Sequence, residues 1–278
     1  MESSVGSAEV GRLVRAWRQA RGLSQLALSL EAGISARHLS FIETGRSTPS
    51  REMVLNLARH LDVPLREQNT LLQAAGFAAV HRETPLEATA MVEIRTALEH
   101  ILNAVEPNPS LVVNRRYDVL LANAAATRFV SFFAPSWRGP SNIARMVLSH
   151  DGLRPSLVNF AEVAGYLIHR LRHELAALHT RDAEDAKLLE LAIAASGELG
   201  MIATPHPPHA ILVPARLHRN GLEIELFTTI TTLGTPLDIT LQELRIETLF
   251  PANAAARKWL AEGAERTSAR EQARGGMQ

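Results

Sequence analysis

The chain has 278 residues, of which 46% are hydrophobic and 21% charged, and its formal net charge is zero. That length fits two domains of ordinary size with enough apolar material for sizeable cores. The sequence contains no cysteine, which excludes disulfides, thiolate metal sites and cysteine nucleophiles. No stretch approaches the roughly 18 to 20 apolar residues of a membrane span, so a soluble, cytoplasmic protein without a membrane partner is expected.

The charge is unevenly spread. Residues 1–80 carry nine arginines against seven acidic residues, and Lys187 and Lys258 are the only lysines in the chain. Nearly every basic group is therefore a guanidinium fork, the geometry suited to phosphate or guanine.

The first 76 residues read as five short helices. The first spans Glu9 to Ala20, with Val10, Leu13, Val14 and Trp17 on one face, and Gly22 ends it. Ser24 caps the second, with Leu26, Ala27 and Leu30 turned inward and Gly33 as the turn. Ser35 caps the third, Ala36 to Glu43, which buries Leu39 and Ile42 and stops at Gly45. Ser50 caps the fourth, and the fifth runs from about Leu65 to Ala75 before Gly76. Residues 1–80 form one expected domain and 81–106 a linker helix. In that helix Met91, Ile94, Leu98, Ile101 and Val105 form a narrow apolar seam. The seam fits either a helix that joins two domains and pairs with a partner subunit, or one that lies against the second domain.

Residues 107–262 have a mixed α and β texture. Leu111 to Val113 and Val119 to Ala122 read as strands around the polar turn Asn114 to Asp118, and long amphipathic helices follow at Asn159 to Ala177 and Ala183 to Ser196. The segment His209 to His218, the turn Asn220-Gly221 and the alternating run Leu222 to Thr232 make a hairpin. Ile239 to Phe250 reads as a last strand and Ala254 to Ala261 as a last helix; residues 263–278 are expected to form a mobile tail.

Residues Ser24 to Glu43 have the form of two short helices joined by a glycine turn, a pair that places its second helix in the major groove of double-stranded DNA. Once Ile34, Leu39 and Ile42 are assigned to the scaffold, Ser35, Ala36, Arg37 and Ser40 remain to face the groove. Phe41 and His38 are assigned to packing, and Glu43 to a pairing with a nearby arginine, because a carboxylate facing phosphate repels it. The stretch from Arg18 through Arg46 closely resembles the Cro- and lambda-repressor-like helix-turn-helix family, and the resemblance spans residues 9–76. It implies that Gln25 grips a phosphate, that Arg37 reaches base edges, preferably guanine, that Ser40 contacts base or phosphate, and that Arg46, Ser47 and Thr48 anchor backbone phosphates. Gln25 and Ser24 also fit a helix cap, which is compatible with DNA contact.

The segments Asn108–Asn123, Leu148–Pro155, Leu226–Pro236 and Glu243–Pro251 resemble the MmyB-like ligand-binding domain over roughly residues 107–252. One departure is Phe160, where the family more often carries tryptophan. The resemblance implies a PAS-like antiparallel sheet with helices over one face, enclosing an apolar pocket for a small, fatty-acid-like molecule. The expected fold class is thus multidomain, an α and α+β chain: a five-helix lambda-repressor-like helix-turn-helix domain followed by that PAS-like sheet domain. Phe129, Phe132, Phe133, Phe160, Leu226 and Ile230 are candidate walls, and Arg154, Asn159 or Thr229 candidate holders of a polar head. The alternative is that the second domain is a ligand-free module for dimerisation or protein contact.

No catalytic motif is present: no G-x-S-x-G elbow, phosphate loop, H-E-x-x-H or dinucleotide fingerprint. His206 and His209 read as a surface loop, and His169 and His173, amid arginines, as a solvated face rather than metal ligands. The expectation is a homodimeric, non-enzymatic regulator with no cofactor and no metal, bound to a pseudo-palindromic operator.

Overall fold

The computed structural model of the chain describes residues 2–176, 183–198 and 214–275. They fall into two compact units: residues 2–84 with 235–242, and residues 85–176, 183–198, 214–234 and 243–275.

The first unit contains α1 (Glu2–Ala20), α2 (Gln25–Glu31), α3 (Ala36–Glu43), α4 (Arg51–His60) and α5 (Leu65–Ala74). The hydroxyls of Ser24, Ser35 and Ser50 accept from the backbone N–H groups of Ala27, His38 and Met53, each satisfying one of the unpaired donors at a helix start. Val10, Leu13, Val14 and Trp17 of α1 are buried with Leu39 and Ile42 of α3, as the periodicity requires. The second helix is rolled differently from the expectation. Leu26 is 61% and Leu30 73% exposed, while Leu28 and Ser29 are buried. A seven-residue helix with leucines on two sides offers two faces of similar apolarity. Its roll is fixed from outside, by Leu28 in the core and by the Asn56 Nδ2 donation to the Ala32 carbonyl at 2.8 Å.

The unit continues past residue 80. Asn69 Oδ1 accepts from the N–H groups of Val80 and His81, its Nδ2 donates to the His81 carbonyl, and Arg66 pairs with Glu83. These bonds lay residues 80–83 along α5.

The second unit opens with α6 (Val92–Ala104), then β1 (Ser110–Val113), β2 (Val119–Ala122), α7 (Ala124–Phe133), α8 (Ile143–Leu148), α9 (Phe160–Ala176) and α10 (Ala183–Glu198). The strands β3 (Ala215–Arg219), β4 (Leu222–Thr232) and β5 (Arg245–Pro251) complete one antiparallel sheet of order β2-β1-β5-β4-β3. Of the two readings of the 91–105 seam, the structure has the helix against the second domain: Met91, Leu98 and Leu102 are buried, Ile101 is exposed, and Asn123 Nδ2 donates to the Leu102 carbonyl at 3.1 Å. Asn220 and Gly221 both take positive φ, 51° and 76°, and close β3 onto β4 with Leu217 opposite Ile224, the backbone that a two-residue hairpin with right-handed strand twist needs. Leu217, Ile224 and Leu226 join the helices in the main core. Val112 and Ile246, cross-strand partners on the other face, are buried as well, so burial is not confined to one side of the sheet.

The expected strand Ile239 to Phe250 divides into a short helix, α11 (Ile239–Glu243), and β5. Asp238 Oδ1 accepts from the Thr240 N–H at 2.9 Å and so starts a helical turn where a strand would leave that donor elsewhere. Residues 235–242 belong to the first unit. There Asp238 accepts from the Thr84 hydroxyl at 2.7 Å, and Gln242 Oε1 accepts from the Leu65 N–H at 2.7 Å. Pro64 gives α5 no side-chain cap, so Gln242 supplies it from a distant part of the chain. The last helix, α12 (Ala254–Gly275), runs on into the segment expected to be a tail, with Ala256 and Leu260 buried.

Candidate nucleic-acid interface and ligand site

The recognition helix α3 is held from behind at backbone distance. A Cβ built on Gly11 of α1 would lie 2.2 Å from the Ile42 carbonyl oxygen, so only glycine permits this approach. At the end of α3 the carboxylate of Glu43 is buried. It accepts from Arg18 Nε at 2.6 Å and Nη2 at 2.9 Å, while Arg18 Nη1 donates to the Leu23 carbonyl at 2.7 Å. The hydrogen bond to Glu43 raises the Arg18 pKa further. This is the arginine partner expected for Glu43.

Gln25, expected on a phosphate, donates from Nε2 to Glu43 Oε2 at 2.8 Å. One amide hydrogen is thereby taken and the other remains. Ser35 acts as the cap of α3, accepting from the His38 N–H at 3.1 Å. Arg37 is exposed, Ala36 and Ser40 half-buried. The Arg37 guanidinium lies 5.3 Å from the centre of the half-buried Phe41 ring, a cation–π contact that gives the arginine a defined direction. Past α3, Arg46 and Thr48 are exposed and Ser47 is half-buried. The Thr48 hydroxyl is bonded to that of Ser7 in α1, a partner no local pattern announces.

In the second unit, Phe129, Phe132 and Phe133 come together with Trp259 of α12, with ring centres 4.8 to 5.4 Å apart. Leu226 and Phe160 belong to the same core. Ile230 does not: it is 39% exposed and its cross-strand partner is Glu247. Thr229 points to the opposite face of the sheet from Leu226, opposite Thr248. The two other expected head-group holders have protein partners. Arg154 lies 4.4 Å over the Phe160 ring and pairs with Glu198 at 2.6 Å. Asn159 donates to the Pro214 carbonyl and to Glu162, and accepts from the Arg216 N–H, which ties the start of α9 to β3.

Sequence reasoning missed a buried polar island around Tyr117. Its hydroxyl donates to Glu174 at 3.2 Å, Arg170 reaches Glu174 and Glu247, and Arg245 reaches Glu174. Burial, then the Glu174 charge, pushes the Tyr117 pKa up; burial also raises that of Glu247 against the pull of Arg170 and Arg245. The five residues are scattered over the β1–β2 turn, α9 and β5, so no spacing announces them. His169 is exposed; His206 and His209 lie outside the described residues. Among the described residues no group of three or more metal-ligating side chains converges, and no helix is long and apolar enough to cross a membrane.

A helical unit with an anchored, outward-facing recognition helix, joined to an α+β unit with an aromatic core, defines a two-domain DNA-binding transcription regulator. Residues 94–262 match the family described as MmyB-like transcription regulator ligand binding domain, and residues 14–68 match the helix-turn-helix family. The chain belongs to the MmyB-like transcription regulators. It is also similar to the restriction-modification controller protein C.AhdI from Aeromonas hydrophila, at 29% identity over 24% of this chain and 99% of that one, with a TM-score of 0.24. No curated protein matches the chain.

Proposed function

We propose that the chain is a cytoplasmic, sequence-specific transcription regulator without catalytic activity, acting as a homodimer on a pseudo-palindromic operator and responding to a small apolar ligand. The observation that supports DNA reading is the exposed Arg37 on a helix fixed behind by Gly11 and Glu43. Arg37 reads base edges, with Ser35, Ala36 and Ser40 beside it; Gln25 through its second amide hydrogen, Arg46, Ser47 and Thr48 meet the phosphates. The test is titration of the full chain onto a fluorescent fragment of its own upstream intergenic DNA, with competitor and at several salt concentrations. Arg37→Ala is expected to cost about 1–3 kcal/mol and relax preference at one base pair. Arg46→Ala weakens binding to all sequences alike and reduces the salt slope by about one. Equal binding of every site by Arg37→Ala and the parent refutes this register of α3.

The satisfied hydrogen bonds of Asn159 and Arg154 favour a second reading, in which the C-terminal domain is a ligand-free dimerisation or protein-interaction module. Lipid extraction of the purified protein followed by mass spectrometry separates the two, since an apolar guest recovered at stoichiometric amounts contradicts the second. Under the first reading added ligand shifts DNA affinity, because coupling requires unequal binding to two states.

A further inference from the structure

We propose that Trp137 is the head-group donor of the ligand site, and that the ligand is an apolar molecule bearing an uncharged acceptor oxygen, such as an ester, ketone or amide carbonyl. This rests on the reading that the second unit holds an apolar ligand.

Trp137 follows α7 on the loop that carries Arg138 and Gly139, and it packs against the core that contains Phe129, Phe133 and Leu226. Its indole N–H is buried, yet it donates to no acceptor among the described residues. Buried indole N–H groups ordinarily find a partner, and one left without a partner forfeits the hydrogen bond it had to water. Phenylalanine would fill an apolar niche without that cost. The ring is not loosely placed. Its six-membered edge lies against Gly139, where an added Cβ would come within 2.4 Å of two ring carbons. Arg138 donates to the Pro135 and Trp137 carbonyls at 2.9 and 2.8 Å, fastening the loop. The donor is therefore presented by a fixed ring beside the aromatic core, while Asn159 and Arg154 already have partners.

The charge of the acceptor follows from the arginines. Arg115 and Arg116 are tied to Asp185, Arg154 to Glu198, and Arg170 and Arg245 to Glu174. The neighbouring Arg138 is exposed and held by the Pro135 and Trp137 carbonyls, so its charge stays in solvent; a free carboxylate brought to the buried Trp137 N–H meets one neutral donor there, and a buried charge so poorly paired is expensive. A carbonyl oxygen asks only for the one hydrogen bond that is offered.

The experiment is calorimetric titration of the full chain, freed of bound lipid on a hydrophobic resin, and of its Trp137→Phe variant, with methyl octanoate, octanoate and octane. The parent is expected to bind the ester about tenfold more tightly than octane, the factor one hydrogen bond supplies, and more tightly than octanoate. Trp137→Phe binds the ester no better than octane. Ester binding unchanged by Trp137→Phe overturns the inference alone, as does tighter binding of octanoate. Failure of all three probes to bind the parent refutes the ligand-sensing reading, and the inference with it.

Discussion

Glu43→Ala tests most directly how the recognition helix is held. The Glu43 side chain is 1% exposed and that of Arg18 10%, so the pair is nearly removed from water. Three hydrogen bonds converge on the carboxylate: Arg18 Nε at 2.6 Å, Arg18 Nη2 at 2.9 Å and Gln25 Nε2 at 2.8 Å. Truncation leaves the guanidinium with the Leu23 carbonyl at 2.7 Å and little solvent. Removing one partner of a buried ion pair costs about 3–5 kcal/mol. The retained Leu23 bond argues for the lower end, about 3 kcal/mol, a large part of the roughly 5–15 kcal/mol that stabilises a domain. Native-state hydrogen exchange on the full chain measures this as a drop of that size in the opening free energy of α1 and α3 amides. The control is Arg18→Met with Glu43→Leu, which removes both charges and keeps the volume filled; it is expected to return within about 1 kcal/mol of the parent. If the double variant loses as much as Glu43→Ala, the cost comes from shape and not from an uncompensated charge, and the reasoning fails.

Gly11→Ala places a methyl 2.2 Å from the Ile42 carbonyl oxygen, and backbone cannot yield as a side-chain tip can. A loss of about 1–3 kcal/mol together with weakened operator binding is expected, read by urea unfolding and the DNA titration; unchanged values for both refute the close α1–α3 approach. In the second unit, burial opposes the ionisation of Asp185, but hydrogen bonds from Arg115 and Arg116 outweigh it and hold the carboxyl below its usual range. A carboxyl depressed in the folded state contributes stability that is present above its unfolded pKa, about 3.9, and lost as pH falls through the folded value. Asp185→Asn is therefore expected to lower the urea midpoint at pH 7 and to flatten the fall in stability below about pH 4; equal acid slopes in both proteins refute the linkage.

The legible parts of the fold were those set by neighbours in sequence. Ser24, Ser35 and Ser50 cap the helices they precede because a hydroxyl reaches the N–H three residues on without help from the rest of the chain. Asn220-Gly221 closes its hairpin for the same local reason. The failures come where a distant group decides. Leu26 and Leu30 lost to Leu28 because α4, through Asn56, sets the roll of α2. The Ile239 to Phe250 run reads as one strand until Asp238, bound to Thr84, turns its first residues into helix. The island around Tyr117 joins residues from β5, α9 and the β1–β2 turn, pairs that only the assembled sheet creates.

The candidate sites divide along the same line. Arg37 reads as outward-facing because a helix has one face left once its apolar positions are assigned, and it is exposed. Gln25 is expected on a phosphate, yet its amide also serves a carboxylate eighteen residues away. A sequence shows which side chains can donate a hydrogen bond but not which have already done so. Asn159, expected to greet a ligand, has both its amide nitrogen and its oxygen engaged, while Trp137, in a loop that carries no motif, has a buried donor to offer. Binding specificity depends on the donor still to be satisfied, so the polar group most able to choose a ligand is the one that folding has left without a partner.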